Sequence, residues 1–533
     1  MAASALKKII LDGRSVNVES VWQVAYGGRG GGHSHGPGHI HSHEPVTLEL
    51  AAPAREKMQI SRSYIEKRVA AGEVIYGVNT GFGAFSSVRI SDSEIEQLQR
   101  NLIRSHSCGV GKPFSSEETR AIMFLRANAL ANGHSGIRPL VVDKILEFLN
   151  RDIIPVIPCQ GSVGASGDLA PLSHLALALI GEGRAWQDGR EVPVIEVLTN
   201  RGVQPLELKA KEGLSLINGC QVMTAIGLLN AYEARRLIWM ADLAGAMTLE
   251  AMKGARSAFD PLIAKVRPHH GEAETARNLM RLLGPSSAIA ESHKDCGRVQ
   301  DAYSLRCMPA VHGAAKNTLR RAIETLEIEA NASTDNPLVF AEDGKILSCG
   351  NFHGEPAAFV LDFMGIAISA MASMSECRIE KLINPAMSGL PAFLAPHGGL
   401  NSGHMIVQVA AASLVSENKI LSHPASVDSI PTSADKEDHV SMGTIAARKL
   451  GNIVKNAENI VAMEFLSAAQ ALDMLKPLEA AGAVKPAHEL IRTRVPYAIE
   501  DRVFSTDIEE IKTLIRSEAV SECVERAVGV LEI

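Results

Sequence analysis

The segment Gly161-Ser-Val-Gly-Ala-Ser-Gly-Asp-Leu-Ala-Pro-Leu-Ser-His174 holds the residues with the most specific chemistry in the chain. Ala165-Ser166-Gly167 is a run of the smallest side chains, preceded by another glycine, Gly164. Such a run lets the backbone fold back on itself at little steric cost. The amide nitrogen of Gly167 can then approach the carbonyl carbon of Ala165. Attack there, with loss of two waters, closes a five-membered imidazolone whose exocyclic methylidene comes from Ser166. The product is an electrophile made from the chain itself. The plainer alternative is a tight loop entering a helix, with Ser166 or Asp168 as its cap.

Other reactive-site patterns fail on their spacing. A P-loop ending at Gly111-Lys112 would need a glycine at His106 and a hydroxyl residue at Pro113. Gly164-Ala-Ser-Gly-Asp168 has Asp where a nucleophile elbow needs its last Gly. His488-Glu489 lacks the second His of a zinc-peptidase helix. Gly161, Gly164 and Gly167 recur every three residues, which is not a dinucleotide-binding spacing.

Further segments accompany the Ala-Ser-Gly run. They are Ile75-Tyr-Gly-Val-Asn-Thr-Gly-Phe-Gly83, Asn101-Leu-Ile-Arg-Ser-His106, Leu216-Ile-Asn-Gly219, Gln300-Asp-Ala-Tyr-Ser-Leu-Arg306, Thr334-Asp-Asn-Pro337 and Gly350-Asn-Phe-His-Gly354. Together and in this order they resemble the histidine and aromatic amino-acid ammonia-lyases and aminomutases. That family carries methylideneimidazolone (MIO), formed from Ala-Ser-Gly. The resemblance implies an MIO built from Ala165, Ser166 and Gly167, with Asp168 supporting its formation or capping a helix. It implies Tyr76 as the base for the substrate β-proton. A free phenol titrates near about 10, so its surroundings must lower it. It gives Arg306 the substrate carboxylate, in a bidentate pair. Asn218 and Tyr303 are expected near the MIO and the amino group, and Gln300 and Phe352 along the pocket. No metal or nucleotide is expected to be required.

Within the family the nearest likeness is to the histidine enzymes. Ser105-His106 resembles their Ser-His pair. His423-Pro-Ala-Ser-Val-Asp-Ser-Ile-Pro431 followed by Glu437-Asp-His-Val-Ser-Met442 is the more discriminating match. His106 and Glu437 are thereby expected to bind an imidazole ring, with Glu437 accepting from a ring N–H. Lys436, next in the chain, favours the ionised carboxylate through its charge. Asp435-Lys436, Cys220 and His404 depart from the usual residues. The implied reaction is elimination of ammonia from L-histidine to trans-urocanate, by a homotetramer whose sites combine residues of several subunits. Tyrosine or phenylalanine ammonia-lyase and 2,3-aminomutase chemistry is the alternative within the fold.

Positioning these residues falls to a mainly α-helical chain. Ser91-Asp-Ser-Glu opens a helix through Leu98 and Leu102, and Ser116-Glu-Glu-Thr-Arg opens one through Leu130. Between them and Asn218, a Gly-, Pro- and Ser-rich belt at 154–171 carries loop and strand signals. Apolar-periodic runs at 317–330, 357–383, 402–421 and 441–475 predict long helices that need neighbours on several sides. We therefore expect an N-terminal domain over 1–220, with short strands, the MIO loop and the tyrosine loop. A long-helix bundle and oligomerisation domain is expected over 221–533. Residues 26–45 are expected as a flexible His/Gly-rich loop. Its histidines 33, 35, 39, 41 and 43 are either solvated or a weak metal-binding tract. The rival function of another class is accordingly a His-rich metal-binding protein on a lyase-like scaffold.

Composition narrows the partners. Lys plus Arg number 53 against 60 Asp plus Glu, a net charge of −7, and aromatics are 4%. This excludes a basic, base-stacking nucleic-acid surface. The eight cysteines form no C-x-x-C pair. With no signal-peptide h-region and no uninterrupted membrane-length apolar run, the expected location is the cytoplasm.

Overall fold

A computed structural model of the chain describes residues 7–27, 46–85 and 87–532. The His33–His43 tract lies outside the described residues. The fold is mainly α, as expected. Long helices run over Gln221–Ala251, Met308–Ala330, Glu355–Ile383, Met405–Leu421 and Gly443–Met474. The second begins well before the predicted 317, because Pro309 sits in its first turn, where the missing N–H is tolerated. The 221–251 helix is not singled out by periodicity. Its buried residues face all round, so no amphipathic stripe marks it.

That helix starts where the two expected domains meet, and it joins them. It packs against Ser116–Ala131 on one side and against the 308–330, 355–383 and 443–474 helices on the other. One hydrophobic core consequently runs from Leu11 to Leu531. Buried ion pairs fix the register of the bundle. Arg378 meets Glu464 at 2.5 Å, and Asp242 holds both Lys316 and His312 at 2.8 Å, all fully buried. The 355–383 helix is the one described helix long and apolar enough to cross a membrane. One side of it packs against the neighbouring helices of the bundle, and its Asp362 is held by Lys449 at 3.0 Å and by the Ser426 amide at 2.8 Å.

The N-terminal part carries short helices and small sheets. Ser116–Ala131 is opened by a reciprocal capping box of Ser115 and Glu118. Ile95–His106 follows a 3-10 turn, Asp92–Glu94. Lys7–Leu11 and Val46–Leu50 pair in parallel. Arg184–Gln187 and Arg190–Pro193 form a hairpin closed by Asp188-Gly189, both left-handed, the turn whose twist matches a hairpin. Val110–Pro113 pairs antiparallel with Pro158–Gln160 and so anchors the chain as it enters the Gly161–Asp168 loop.

Candidate active site

Gly164 and Gly167 pair across Ala165-Ser166, so the Ala-Ser-Gly run is a tight reversal. Ser166 (φ 51°) and Gly167 (φ 78°) are both left-handed. A Cβ on Gly167 would lie 2.2 Å from the Gly219 carbonyl oxygen, and one on Gly164 would lie 2.1 Å from Ser441 Oγ. Only glycine fits either place. The Gly219 amide donates to the Ser166 carbonyl at 3.2 Å, and the Asp168 amide donates to the Gly219 carbonyl at 2.8 Å. The Met442 amide donates to the Val163 carbonyl at 2.9 Å from the opposite side. The loop is thus clamped between the Asn218-Gly219 turn and the start of the 443–474 helix. These residues fit the cyclised group: the reversal is already made, and the side chain at 167 is absent where the backbones meet. Asn218 Oδ1, in the same cleft as Ser166, is a buried acceptor with no partner.

Asp168 stands at the start of the Leu169–Leu179 helix, but its side chain does not cap it. Its carboxylate instead accepts from the Val222 amide at 2.9 Å and the Met223 amide at 3.0 Å, the first turn of the 221–251 helix. Ser162 Oγ at 3.1 Å and the Thr444 hydroxyl also donate to it. Capping is therefore real, on a different helix. Burial pushes the carboxyl pKa up, against the pull of these donors. Asp168→Ala leaves two buried amides without acceptors, at about 1–3 kcal/mol each. Asp168→Asn keeps an oxygen for the amides, and both hydroxyls can rotate to accept from its NH₂. Denaturant unfolding is expected to place the Ala variant well below the Asn variant, which stays within about 1.5 kcal/mol of the parent chain.

An open cleft of about 660 Å³ lies beside Ser166, lined by Tyr76, Leu102, His106, Asn218 and Glu437 among others. Tyr76 stands on a braced turn. The Ile75 amide donates to Asn79 Oδ1 at 2.8 Å, and the Gly77 amide donates to Thr80 Oγ1 at 3.2 Å. Gly77 is left-handed (φ 71°), and a Cβ there would meet Leu214 at 2.2 Å. Contrary to the lowering predicted for a base, the Tyr76 phenol is raised: burial pushes it up, Glu437 adds to this, and the Gly83 amide offsets only part. Among the described residues no cation offsets this rise.

His106 ends its helix with Nδ1 2.9 Å from the Leu102 carbonyl, which assigns the proton to Nδ1 and leaves Nε2 as the free acceptor. Burial lowers its pKa, favouring that neutral ring. Glu437 Oε1 accepts from Ser166 Oγ at 3.2 Å, and Oε2 accepts from Thr432 at 2.8 Å and Ser433 at 2.7 Å. Lys436 is exposed and does not line the cleft, so the hydroxyls, not the neighbouring ammonium, hold Glu437.

Gln300, Tyr303 and Arg306 come together, but not here. Arg306 stacks over the Tyr303 ring at 4.5 Å and donates to Gln300 Oε1 at 3.2 Å. Tyr303 is 71% exposed, and none of the three lines the cleft of its own protomer. Phe352 also lies outside it; its carbonyl accepts from Cys220 Sγ at 3.0 Å.

Several positioning residues escaped sequence reasoning. Lys211, fully buried, donates to Asp335 at 2.9 Å, and Asp335 accepts from Asn218 Nδ2 at 3.0 Å, which aims the Asn218 amide. Arg126, also buried, donates to the Asn218 carbonyl at 3.1 Å. Gln99 Oε1 accepts from the Gly213 amide at 2.9 Å, and its Nε2 donates to the Gly77 carbonyl at 3.5 Å, tying the tyrosine turn to the Asn218 segment. Asp335 lies inside a quoted motif and could have been found; Lys211, Arg126 and Gln99 carry no local signal.

Residues 39–493 match the aromatic amino acid lyase family. The chain is 53% identical to a histidine ammonia-lyase of Sorangium cellulosum, over 91% of this chain and 96% of that one. It is similar to the crystal structure of histidine ammonia-lyase from Trypanosoma cruzi, with TM-score 0.88 and 42% identity, covering 98% of this chain and 96% of that one. A tyrosine aminomutase from Streptomyces globisporus superposes with TM-score 0.90 at 37% identity, covering 98% and 100%. The backbone alone therefore does not separate these two chemistries.

Proposed function

Because the chain belongs to the aromatic amino acid lyase family, we propose that it eliminates ammonia from L-histidine to give trans-urocanate, using an MIO formed from Ala165, Ser166 and Gly167. The observation that carries the choice of substrate is the pairing of His106 Nε2 and Glu437 in one cleft beside Ser166. Both groups accept hydrogen bonds: the one N–H of a neutral imidazole satisfies one of them and the two N–H groups of an imidazolium satisfy both, whereas a phenyl ring satisfies neither. The cyclised group supplies an electrophile that takes up the amino nitrogen and makes it a better leaving group. Loss of the Ser166 hydroxyl also removes the donor on Glu437 Oε1, which frees that oxygen for the substrate ring. Tyr76, which lines the same cleft, takes the β-proton. Asn218, aimed by Asp335 and Lys211, offers its orphan Oδ1 to an N–H near the reacting nitrogen. Asp168 supports cyclisation by fixing the loop; Asp168→Asn, which keeps the fold, is the variant in which slower MIO formation isolates that role.

Turnover of histidine, tyrosine and phenylalanine, with products resolved as acrylates or β-amino acids, tests this reading. Histidine is expected to exceed phenylalanine by at least about tenfold in kcat/KM, since an unmade buried hydrogen bond costs about 1–3 kcal/mol. Glu437→Gln lowers histidine turnover, and His106→Phe shifts preference toward phenylalanine. Faster deamination of tyrosine than of histidine by the parent chain, or β-amino acid as the main product, overturns the reading.

The functional unit is a homotetramer. The 355–383 helix exposes Phe359, Phe363 and Ile366, one stripe at helical spacing, and the neighbouring 405–421 helix exposes Ile406 and Val409. Exposed apolar stripes of this kind need cover. The separation of Gln300, Tyr303, Arg306 and Phe352 from the cleft supports their delivery by neighbouring subunits. Phe363→Asp is expected to lower the mass seen by light scattering and to remove most activity together. Full activity in a monomer refutes shared sites. The eight free thiols support a reducing, cytoplasmic compartment. The domain division near residue 220 is kept as an organisational proposal, with the buried 221–251 helix packed against both the loop-rich and the bundle parts.

A further inference from the structure

We propose that His353, Glu355 and His439 form a binding site for one divalent transition-metal ion, outside the catalytic cleft of their own protomer. One ligand atom from each lies within 4.8 Å of the others. Glu355 Oε2 stands 3.9 Å from His353 Nδ1 and 3.9 Å from His439 Nε2. Zinc–nitrogen and zinc–oxygen bonds of about 2.0–2.2 Å in a tetrahedral shell place ligand atoms roughly 3.3–3.6 Å apart. The three groups therefore need only a small contraction around an ion.

Two independent features indicate that a cation belongs there. Glu355 Oε2 is a buried carboxylate oxygen with no hydrogen-bond partner. A buried acceptor of this kind is costly unless something positive meets it. His353 Nε2 lies 3.3 Å from the His439 carbonyl, which places its proton on Nε2 and turns the lone pair of Nδ1 toward Glu355. An outer hydrogen bond that fixes the tautomer is what a metal-ligating histidine needs. The two rings are parallel within 4°, with centroids 5.7 Å apart. The His439 side chain is 69% exposed, which leaves room for a water or other fourth ligand. Two imidazoles and one carboxylate select zinc, cobalt or nickel over magnesium or calcium.

The consequence is mechanical. His353 and Glu355 sit at the start of the 355–383 helix, whereas His439 follows Glu437 by two residues. None of the three lines the cleft with Tyr76 and Ser166. An ion here pins the segment that carries Glu437 to the bundle. The inference rests on the three side chains and holds whichever amino acid is the substrate.

The test uses the untagged full chain, stripped with chelator, with His33, His35, His39, His41 and His43 all replaced by Ser so that the N-terminal tract takes up no metal. Equilibrium dialysis with zinc chloride and no amino acid present is expected to load one ion per chain, with a rise in thermal midpoint. Cobalt(II) should give the visible absorption of a four-coordinate site, and magnesium should not compete. His439→Ala and Glu355→Gln should each weaken zinc binding by at least about tenfold. Absence of zinc uptake at micromolar concentration overturns the proposal and leaves a shared proton as the occupant. So does uptake unchanged in His439→Ala. That residue is exposed and its replacement does not threaten the fold, so it decides the matter even where Glu355→Gln fails to fold.

Discussion

Ser166→Ala is expected to leave the chain folded, at its full sequence mass, and without measurable lyase activity. The parent chain should be lighter than its sequence by two waters, the mass lost when the Gly167 nitrogen closes on the Ala165 carbonyl and Ser166 dehydrates. Alanine at 166 permits ring closure at most and can yield no methylidene. The packing argues that the variant folds. Ser166 Oγ makes one hydrogen bond, to the partly buried Glu437, while the clamp on the loop is built from the backbone of Ser166, Asp168 and Gly219. The loss of rate should be large, because the electrophile is the whole covalent strategy and enzymes typically supply at least about 10⁶-fold acceleration. We expect a fall of at least about 10³-fold in kcat. An active parent chain at its full sequence mass would remove the MIO from the mechanism. Gly167→Ala tests the same loop from the other side: its Cβ meets the Gly219 carbonyl, so loop geometry and activity fail together.

Much of this site is legible in the sequence because it is built from short contiguous segments. The reversal at Ala165-Ser166-Gly167 follows from side-chain size, and the brace under Tyr76 uses Asn79 and Thr80 of its own loop. The Glu437 segment likewise carries Thr432 and Ser433, which hold the carboxylate. What sequence could not give is long-range partnership. Asp168 sits at a helix start, so local reasoning makes it the cap of that helix; its acceptor oxygens are used by Val222 and Met223, on a helix more than fifty residues away. The 221–251 helix itself hides because burial on every face erases the periodicity that reveals amphipathic helices. Lys211, Arg126 and Gln99 look like ordinary polar residues until the fold encloses them. The motif residues Gln300, Tyr303 and Arg306 are the reverse case: their roles are carried by the family pattern, while the fold of one protomer keeps them away from the cleft they are expected to serve.

Tyr76→Phe is expected to keep the fold, the two-water mass deficit and substrate affinity, while losing about 10²–10⁴-fold in kcat. The phenyl ring preserves the edge-on contact with Phe82, whose centroid is 6.5 Å away, and the lost contact to the Gly83 amide is long, at 3.5 Å. The pH profile carries more information than the rate. A base must be deprotonated, and in the single protomer burial and Glu437 hold the phenol above its ordinary value. Below that pKa, kcat/KM should rise about tenfold per pH unit as the phenolate fraction grows, and Tyr76→Phe should flatten this limb. A neighbouring subunit that brings the Arg306 cationic group to the cleft would favour the phenolate and move the limb toward neutrality. The position of the limb therefore reports assembly as well as identity. An Arg306→Gln variant that remains tetrameric should shift the limb to higher pH and raise KM, because the same guanidinium is expected to hold the substrate carboxylate. A limb that stays in place in Tyr76→Phe assigns the proton to another group, and one that stays in place in Arg306→Gln separates the carboxylate clamp from the tuning of the base.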